Sequence, residues 1–408
     1  MTVPDTHDFT LSANDPDALL RAAAARTEVL QHDRIVLYAG ANLPSPAAMA
    51  AYAPGLSAYP AMGPAFDKEQ PDTGLVSALE VALTQEINGL LGSTWAETRL
   101  PNCTTANLAV FHTFTKPGDL LLAPAAAHGG HLSQRRDGTP ALAGLHVEDL
   151  PFEVNNCCLD AAAAADQVRR LRPTMVMLGR SVMIKPDDVE PVVVAAREVG
   201  AVTVFDASHV LGLITGGVFP NPLALGVDIL TSSTYKTLPG HPHSIIGGRD
   251  AGQGKQLAQL IGQRFIANAD AGCLPSLLVT LREAREEGAR YAQQICRNTL
   301  AMAAALAGLG VTVTAATAGQ IATHQLLVPM SDDLPPNAVI DRLARQGVLV
   351  GTCNDPQVPG KFALRVGTQF MTRQGCDEQA FAAFAARLAG LLARGPDGRM
   401  VCSHRVKP

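Results

Sequence analysis

The apolar positions between residues 161 and 216 alternate between helical and strand-like spacing. An alanine-rich helix precedes an apolar strand at 174–178, a second helix covers 191–200, and a second apolar strand covers 202–205. Strands separated by helices in this way form right-handed βαβ units and a largely parallel sheet. We therefore predict an α/β fold, in which ligands bind at the carboxyl ends of the strands.

The hydrophobic pattern on either side of this region predicts further helices and a second domain. Helical spacing covers residues 15–31, 75–91 and 274–306. The last part of the chain reads as strands at 311–314, 325–329, 348–350 and 363–366, with helices at 336–346 and 376–394. We assign residues 1–45 to an N-terminal helix and arm, 46–285 to a large cofactor-binding domain and 286–408 to a small α/β C-terminal domain.

The composition is that of an ordinary enzyme. The 408 residues are 47% hydrophobic and 17% charged, with a formal net charge of −5. No basic block indicates nucleic acid binding, and no apolar run is as long as a membrane span. The eight cysteines are spread through the chain without a CxxC pair, which favours reduced thiols, a cytoplasmic location and no metal site.

One lysine and one aspartate follow two of the predicted strands. The apolar run 228–233 leads through a Ser/Thr-rich segment to Lys236, and residues 202–205 lead to Asp206. An amine at a strand end can form an imine with an aldehyde cofactor, and a carboxylate near by can keep a pyridine nitrogen protonated. The pair predicts a pyridoxal phosphate site, although each residue alone is typical of a sheet rim or a turn.

The residues around both positions resemble the serine hydroxymethyltransferase family. Residues 206–222 match the family's Asp-x-Ala-His-x-x-Gly-Leu…Gly-x-x-Pro-Asn-Pro stretch, with Ser208 in place of the alanine. Residues 231–240 match its threonine-rich run ending in His-Lys-Thr-Leu-x-Gly, with Tyr235 in place of the histidine. The likeness extends over most of the chain.

This resemblance implies a fold-type I pyridoxal phosphate-dependent transferase with a mainly parallel seven-stranded sheet. It also implies a homodimer with active sites at the subunit interface, and small amino acid and aldehyde substrates. The implied catalytic residues are Lys236, His131, Asp206, His209 and Tyr235. The implied cofactor-binding residues are Asn102, Cys103, Thr104, His131, Ser181, Asp206, His209, Ser233, Lys236 and Gly272. The implied substrate-binding residues are Arg365, Asn42, Tyr59 and Glu69.

The chemistry of these side chains suits the implied roles. Hydroxyls and free N–H groups at residues 102–104, where a helix opens, make a seat for a phosphate, or else simply cap the helix. An imidazole such as His131 can stack on a pyridine ring and move protons. The planar guanidinium of Arg365 suits two-pronged binding of an amino acid carboxylate.

The departures from the family pattern fall mainly on the side of the one-carbon unit. The loop at 57–74 does not match the family's loop of tyrosines and a glutamate, so Tyr59 and Glu69 are only candidate replacements. We therefore expect aldolase or transaldolase chemistry at the Cα–Cβ bond of a β-hydroxy amino acid, with weak or no dependence on tetrahydrofolate. Folate-dependent serine/glycine or α-methylserine hydroxymethyl transfer, transamination, decarboxylation and non-enzymatic binding stay open as alternatives.

Overall fold

The computed structural model describes residues 15–314, 322–331 and 335–393. Its helices are α1 Pro16–Ala24, α2 Arg26–His32, α3 Pro46–Ala50, α4 Pro54–Ser57, α5 Gly74–Leu91, α6 Cys103–Phe114, α7 Thr139–Leu142, α8 Ala161–Leu171, α9 Glu190–Val199, α10 Leu211–Thr215, α11 Ala251–Arg264, α12 Cys273–Gly308, α13 Pro336–Arg345, α14 Gln369–Arg373 and α15 Glu378–Leu392. Its strands are β1 Ile35–Val36, β2 Trp95–Glu97, β3 Leu120–Ala123, β4 His146–Asp149, β5 Phe152–Glu153, β6 Cys158–Leu159, β7 Met175–Leu178, β8 Val202–Asp206, β9 Ile229–Ser233, β10 Ser244–Gly248, β11 Gln325–Pro329, β12 Val348–Leu349, β13 Gly351–Asn354 and β14 Phe362–Gly367.

A seven-stranded sheet forms the centre of the large domain. Its order is β2-β10-β9-β8-β7-β3-β4. The pairs from β4 to β9 are parallel, whereas β10 is antiparallel to both of its neighbours. The predicted α/β fold with a mainly parallel seven-stranded sheet is therefore confirmed, with β10 as the one reversed strand of this sheet.

Apolar side chains alternate between the two faces of this sheet, and each face is covered by helices. Phe205 and Leu230 point into the core shared with α5, α8, α9, α10 and α12. Their neighbours Val204 and Ile229 point into the core shared with α6 and α11. All four side chains are almost completely buried, and burying such a side chain stabilises a fold by about 1.5–3 kcal/mol. Burial on both faces fixes the register of the strands.

The C-terminal part has its own antiparallel sheet and core. Strand β14 lies between β11 and β13, and the core beneath includes residues of α12 and α15. The short strand β1 pairs in parallel with β12, and Val36 and Leu37 belong to this same core. Residues near 36 therefore pack with the C-terminal sheet, while the domain boundaries given above stay predictions.

Three of the differences from the sequence-based expectations lie outside the central sheet. The helix predicted at 15–31 is divided at Ala25, and neither half buries a residue, so packing does not hold it straight. Residues 311–314 are not a strand; the Thr314 amide makes a single bond to the Leu327 carbonyl. Strand β13 was not predicted. Within the described ranges, no helix is both long and apolar enough to cross a membrane; the chain before residue 15 and after 393 lies outside those ranges.

Candidate active site

A cavity lies at the carboxyl ends of the central parallel strands. It encloses about 430 Å³ of space, part of which is open to solvent. Its lining combines the segments that follow β7, β8 and β9 with the start of α6. The residues that line it are Asn102, Cys103, Thr104, His131, Arg180, Ser181, Asp206, Ser208, His209, Ser233, Tyr235 and Lys236. Sequence reasoning named all of these except Arg180 and Ser208.

Lys236 follows β9 and is held by its backbone. Its carbonyl oxygen accepts a hydrogen bond from the Asn42 amide at 2.6 Å. The next residue, Thr237, donates to the His209 carbonyl at 2.9 Å and accepts from the Gly212 amide at 3.1 Å. Gly212 has to be glycine here, because a Cβ would lie 2.2 Å from the Thr237 carbonyl oxygen. Backbone contacts thus set the direction of the lysine side chain.

The amine of Lys236 shares the cavity with a carboxylate. Burial lowers the pKa of Lys236 below its ordinary value, and the charge of Asp206 opposes this shift. A lowered pKa leaves more of the amine neutral, which is the form that attacks an aldehyde. The site therefore favours imine formation at this lysine.

Asp206, at the end of β8, is held by three donors. Its Oδ2 accepts from the Asn107 amide at 2.9 Å, and the Cys103 thiol lies 3.6 Å from the same oxygen. Its Oδ1 accepts from the Ser208 amide at 3.0 Å. The carboxylate is 7% exposed, so these bonds compensate for the loss of water. The result is a fixed, buried negative charge on the cavity wall.

Asn107 links this carboxylate to the imidazole of His131. The Asn107 amide nitrogen also donates to the Ser133 hydroxyl at 2.9 Å, and that hydroxyl lies 2.9 Å from Nδ1 of His131. The Ser133 backbone amide donates to the same Nδ1 at 3.2 Å. Nδ1 is therefore an acceptor, and the imidazole proton lies on Nε2. Burial lowers the pKa of His131, which favours this neutral form.

The first turn of α6 provides the predicted seat for an anion. Asn102 caps the helix, and its side-chain oxygen accepts from the Thr105 amide at 2.9 Å. The cavity reaches Asn102, Cys103 and Thr104, and the first amides of a helix attract phosphate groups. Cys103 also lines the cavity, and its thiol lies beside Asp206.

Arg365 lies on β14, next to the cavity wall. Its Nη1 donates to the Ser181 carbonyl at 3.1 Å, and its guanidinium carbon lies 6.0 Å from the centre of the Tyr38 ring. Its Nε is buried, and no described residue accepts a hydrogen bond from it. A buried donor without an acceptor is costly, so this atom is suited to bind an anionic ligand.

The other predicted residues lie outside the cavity lining. Tyr59 and Glu69 are exposed on the loop between α4 and α5. Gly272 precedes α12, and its amide donates to the Ser57 hydroxyl at 2.7 Å. The Asn42 amide is engaged by the Lys236 carbonyl and by the Tyr291 hydroxyl at 2.9 Å. The structure therefore does not bring these four residues together with the ten predicted ones in the cavity, and their assigned roles stay predictions.

Three residues that line the cavity or contact its lining were not predicted from the sequence. Asn107 and Ser133 are both buried and connect Asp206 with His131. Arg180 lines the cavity but is paired with Asp187. None of the three residues is marked by a sequence pattern given above, and Asn107 reads as a core position of α6.

Comparison with known proteins decides the family. The sequence profile described as serine hydroxymethyltransferase matches residues 14–388. The chain belongs to the serine hydroxymethyltransferase family. It is 32% identical over 350 residues to the serine hydroxymethyltransferase of Staphylothermus marinus, covering 85% of this chain and 80% of that protein. It is 33% identical over 354 residues to the enzyme of the same name from Pyrococcus furiosus, covering 84% of this chain and 83% of that protein.

A solved structure of the same fold belongs to an enzyme of different activity. The L-threonine transaldolase of Pseudomonas fluorescens, determined in an internal aldimine state, superimposes with a TM-score of 0.84 at 25% identity. The match covers 95% of this chain and 89% of that one. Membership of the serine hydroxymethyltransferase family, the fold-type I architecture and the pyridoxal phosphate dependence of the enzyme are thereby confirmed.

The residues of the cavity fit this cofactor. A buried amine, Lys236, and a fixed carboxylate, Asp206, share one cavity with the first turn of α6. These groups complement an aldehyde, a pyridinium nitrogen and a phosphate, respectively. Lys236, Asp206 and residues 102–104 are therefore the groups that would hold pyridoxal phosphate.

Proposed function

We propose that this enzyme makes and breaks the Cα–Cβ bond of β-hydroxy amino acids and passes the amino acid fragment between aldehydes, with little or no use of tetrahydrofolate. The observation that carries this proposal is a contrast within the site. Ten of the predicted catalytic and cofactor-binding residues line one cavity, whereas the loop at 57–74 departs from the family pattern, and Tyr59 and Glu69, its candidates for the one-carbon side, lie outside that lining.

The side chains of the cavity divide the work of this reaction. When bound, pyridoxal phosphate supplies an electron sink for the bond that breaks at Cα. Asp206 stabilises the proton on the ring nitrogen. Arg365 binds the substrate carboxylate through donors such as its free Nε, and this contact selects which Cα bond is aligned for cleavage.

Two further groups handle the substrate hydroxyl. The neutral amine of Lys236 can remove the proton from the β-hydroxyl when the amino acid has replaced it, because burial lowers the pKa of Lys236. Burial raises the pKa of Tyr235, so its hydroxyl stays protonated and donates to the aldehyde oxygen. Nζ of Lys236 lies 5.7 Å from the centre of the Tyr235 ring, so both groups serve the same side of the cavity.

The loop between α4 and α5 is anchored by hydrogen bonds and one ion pair. Lys68 forms a buried ion pair with Glu80 of α5, with a shortest distance of 2.7 Å, and also donates to the Gly63 carbonyl at 2.8 Å. The Glu69 amide donates to the Met62 carbonyl at 2.9 Å. These bonds anchor the loop to α5 and leave Glu69 exposed.

A second candidate is folate-dependent serine hydroxymethyl transfer. The observation in its favour is the 32–33% identity to archaeal proteins named serine hydroxymethyltransferase. In that mechanism, the Glu69 side chain would contact the substrate bound to a neighbouring subunit. Both candidates use the same cofactor residues and differ in the carbon acceptor.

Product analysis separates the two candidates. The purified enzyme is incubated with L-threonine plus an acceptor aldehyde, and separately with L-serine, each with and without tetrahydrofolate. We expect acetaldehyde and a new β-hydroxy amino acid from L-threonine without folate. Turnover of L-serine that requires tetrahydrofolate, with no reaction of L-threonine, would support the second candidate. Pyridoxamine phosphate or carbon dioxide as products would reject both, and the Lys236→Ala protein serves as the blank.

We also propose that the enzyme is a homodimer with active sites near the subunit contact. Large apolar side chains are exposed close together in sequence, with Phe66 at 69% and Leu75 at 62% exposure. Exposed apolar residues of this size often mark an interface. Light scattering of the purified protein should give twice the 42.7 kDa chain mass, and Phe66→Asp should shift it toward the single chain.

A further inference from the structure

Three buried polar side chains meet behind the cavity. His209 follows β8, and His324 and Gln325 lie at the start of β11. The Gln325 amide nitrogen lies 3.1 Å from Nδ1 of His209 and 3.2 Å from Nε2 of His324. The two imidazole rings are nearly parallel, with Nδ1 of His209 and Nε2 of His324 only 3.4 Å apart. Of the three, only His209 lines the cavity.

The orientation of the Gln325 amide follows from its other two contacts. The Met183 backbone amide can only donate, and it lies 3.2 Å from Oε1 of Gln325. The Ser181 carbonyl can only accept, and it lies 3.0 Å from Nε2. These contacts place the oxygen toward Met183 and the NH2 group toward the histidines. One of the two amide hydrogens is taken by the Ser181 carbonyl, so the other is shared between the two imidazole nitrogens, and both accept it because an amide NH2 group has no acceptor.

The charges around His209 favour the same arrangement. Lys236, Arg365, His324 and His131 oppose a positive charge on the ring, whereas the Asp206 carboxylate in the same cavity is already bound by Asn107 and Ser208. Burial and the four opposing groups lower the pKa of His209 well below its ordinary value. A second proton on Nδ1 would also point at the donor hydrogens of Gln325. The neutral ring with its proton on Nε2 leaves Nδ1 free to accept the shared hydrogen of Gln325.

We propose that Gln325 is a positioning residue that fixes His209 as the tautomer carrying its proton on Nε2. Among the described residues, no hydrogen bond occupies Nε2 of His209. His209 therefore presents one N–H donor to the cavity, suited to an anionic oxygen of the bound cofactor. This last step rests on the cofactor assignment, whereas the tautomer itself does not depend on the reaction that the enzyme catalyses.

Nitrogen NMR of the resting enzyme tests the tautomer directly. Full-length protein loaded with pyridoxal phosphate and labelled with ¹⁵N-histidine is measured, and the His209 signals are assigned by their loss in His209→Asn. We expect a protonated Nε2 and an unprotonated Nδ1 throughout pH 6–8. A proton on Nδ1, or a ring that gains a second proton in this range, would overturn the proposal. Loss of the same signals in His209→Gln confirms the assignment, so the result does not depend on the folding of a single variant.

The Gln325→Glu variant tests the cause. Its side chain has the same shape, but it faces His209 with an acceptor in place of the donor. We expect the His209 proton to appear on Nδ1, with or without retention of the Nε2 proton. We also expect the pH midpoint of the cofactor absorbance to shift by about one unit or more. The control is Gln263→Glu on the exposed side of α11, which adds the same charge and should change neither signal. An unchanged His209 pattern in Gln325→Glu would refute the role of Gln325.

Discussion

The network around Asn107 gives a prediction whose size follows from its contacts. Asn107 is fully buried in α6. It donates to Asp206 and to Ser133, both at 2.9 Å, and accepts from Thr231 at 2.7 Å. Truncation to alanine leaves all three partners buried without this bond. A hydrogen bond to a charged group contributes about 1.5–3 kcal/mol and a neutral one about 1 kcal/mol, so Asn107→Ala should lower the free energy of unfolding by about 4 kcal/mol.

The same substitution should weaken the binding of pyridoxal phosphate. Without the Asn107 amide, the Asp206 carboxylate loses one of the bonds that fix its direction, and His131 loses the support of Ser133. We expect the dissociation constant of pyridoxal phosphate to rise at least about tenfold, which corresponds to about 1.4 kcal/mol. Urea unfolding of the cofactor-free protein and absorbance titration of the cofactor measure the two effects separately.

Asn298 offers a matched control. It is equally buried, and it donates to the Thr372 hydroxyl at 2.8 Å and the Cys376 carbonyl at 2.9 Å, while accepting from Gln294 at 2.8 Å. All of its partners are neutral, so Asn298→Ala should cost about 3 kcal/mol and leave cofactor affinity unchanged. A loss below about 1 kcal/mol in Asn107→Ala, or equal cofactor affinity in both variants, would refute the proposed network.

Three further predictions concern the site and its supporting loop. Arg365→Lys replaces the planar guanidinium by a single amine. It should raise KM for the amino acid by about 10- to 100-fold in steady-state kinetics, because a charged hydrogen bond contributes about 1.5–3 kcal/mol. An unchanged KM would show that Arg365 does not bind the substrate. Because burial lowers the pKa of Lys236, the rate at which the cofactor-free protein takes up the cofactor should increase with pH around a midpoint below 10.5. Stopped-flow absorbance measures this rate. A midpoint at or above that value would contradict the burial argument. Lys68→Met should lower the free energy of unfolding by about 3–5 kcal/mol in urea, because it leaves Glu80 without its partner. Adding Glu80→Leu should restore most of this loss. A double variant as unstable as the single one would argue against the ion pair.

The site could be predicted from sequence wherever a residue follows a strand or opens a helix. Asp206 is the last residue of β8, and Lys236 follows β9. Parallel strands bring their carboxyl ends to one edge of the sheet. Asn107 lies within a helix among alanine and apolar residues, where a buried amide reads like any core position. Its partners come from segments far away in the chain, and spacing along the chain carries no information about such contacts.

The fold was predictable to a similar degree, and the exceptions have local causes. Strands buried on both faces, such as β7 and β8, stand out as apolar runs. Strand β13 reads Gly-Thr-Cys-Asn and resembles a turn, since its pairing with β14 rather than its own residues makes it a strand. The opposite occurs at residues 311–314. Two valines suggested a strand there, but the segment does not join the neighbouring sheet as a strand.

The central prediction is that Lys236 is the lysine that holds the cofactor. Borohydride reduction of the purified enzyme fixes the cofactor on the lysine that holds it, and mass spectrometry of the peptides locates that lysine. We expect the phosphopyridoxyl group on Lys236, and its loss from the peptide map when the Asp206→Asn protein fails to retain cofactor. A modified lysine elsewhere in the chain, or no modified lysine in a protein that retains the cofactor, would contradict the account.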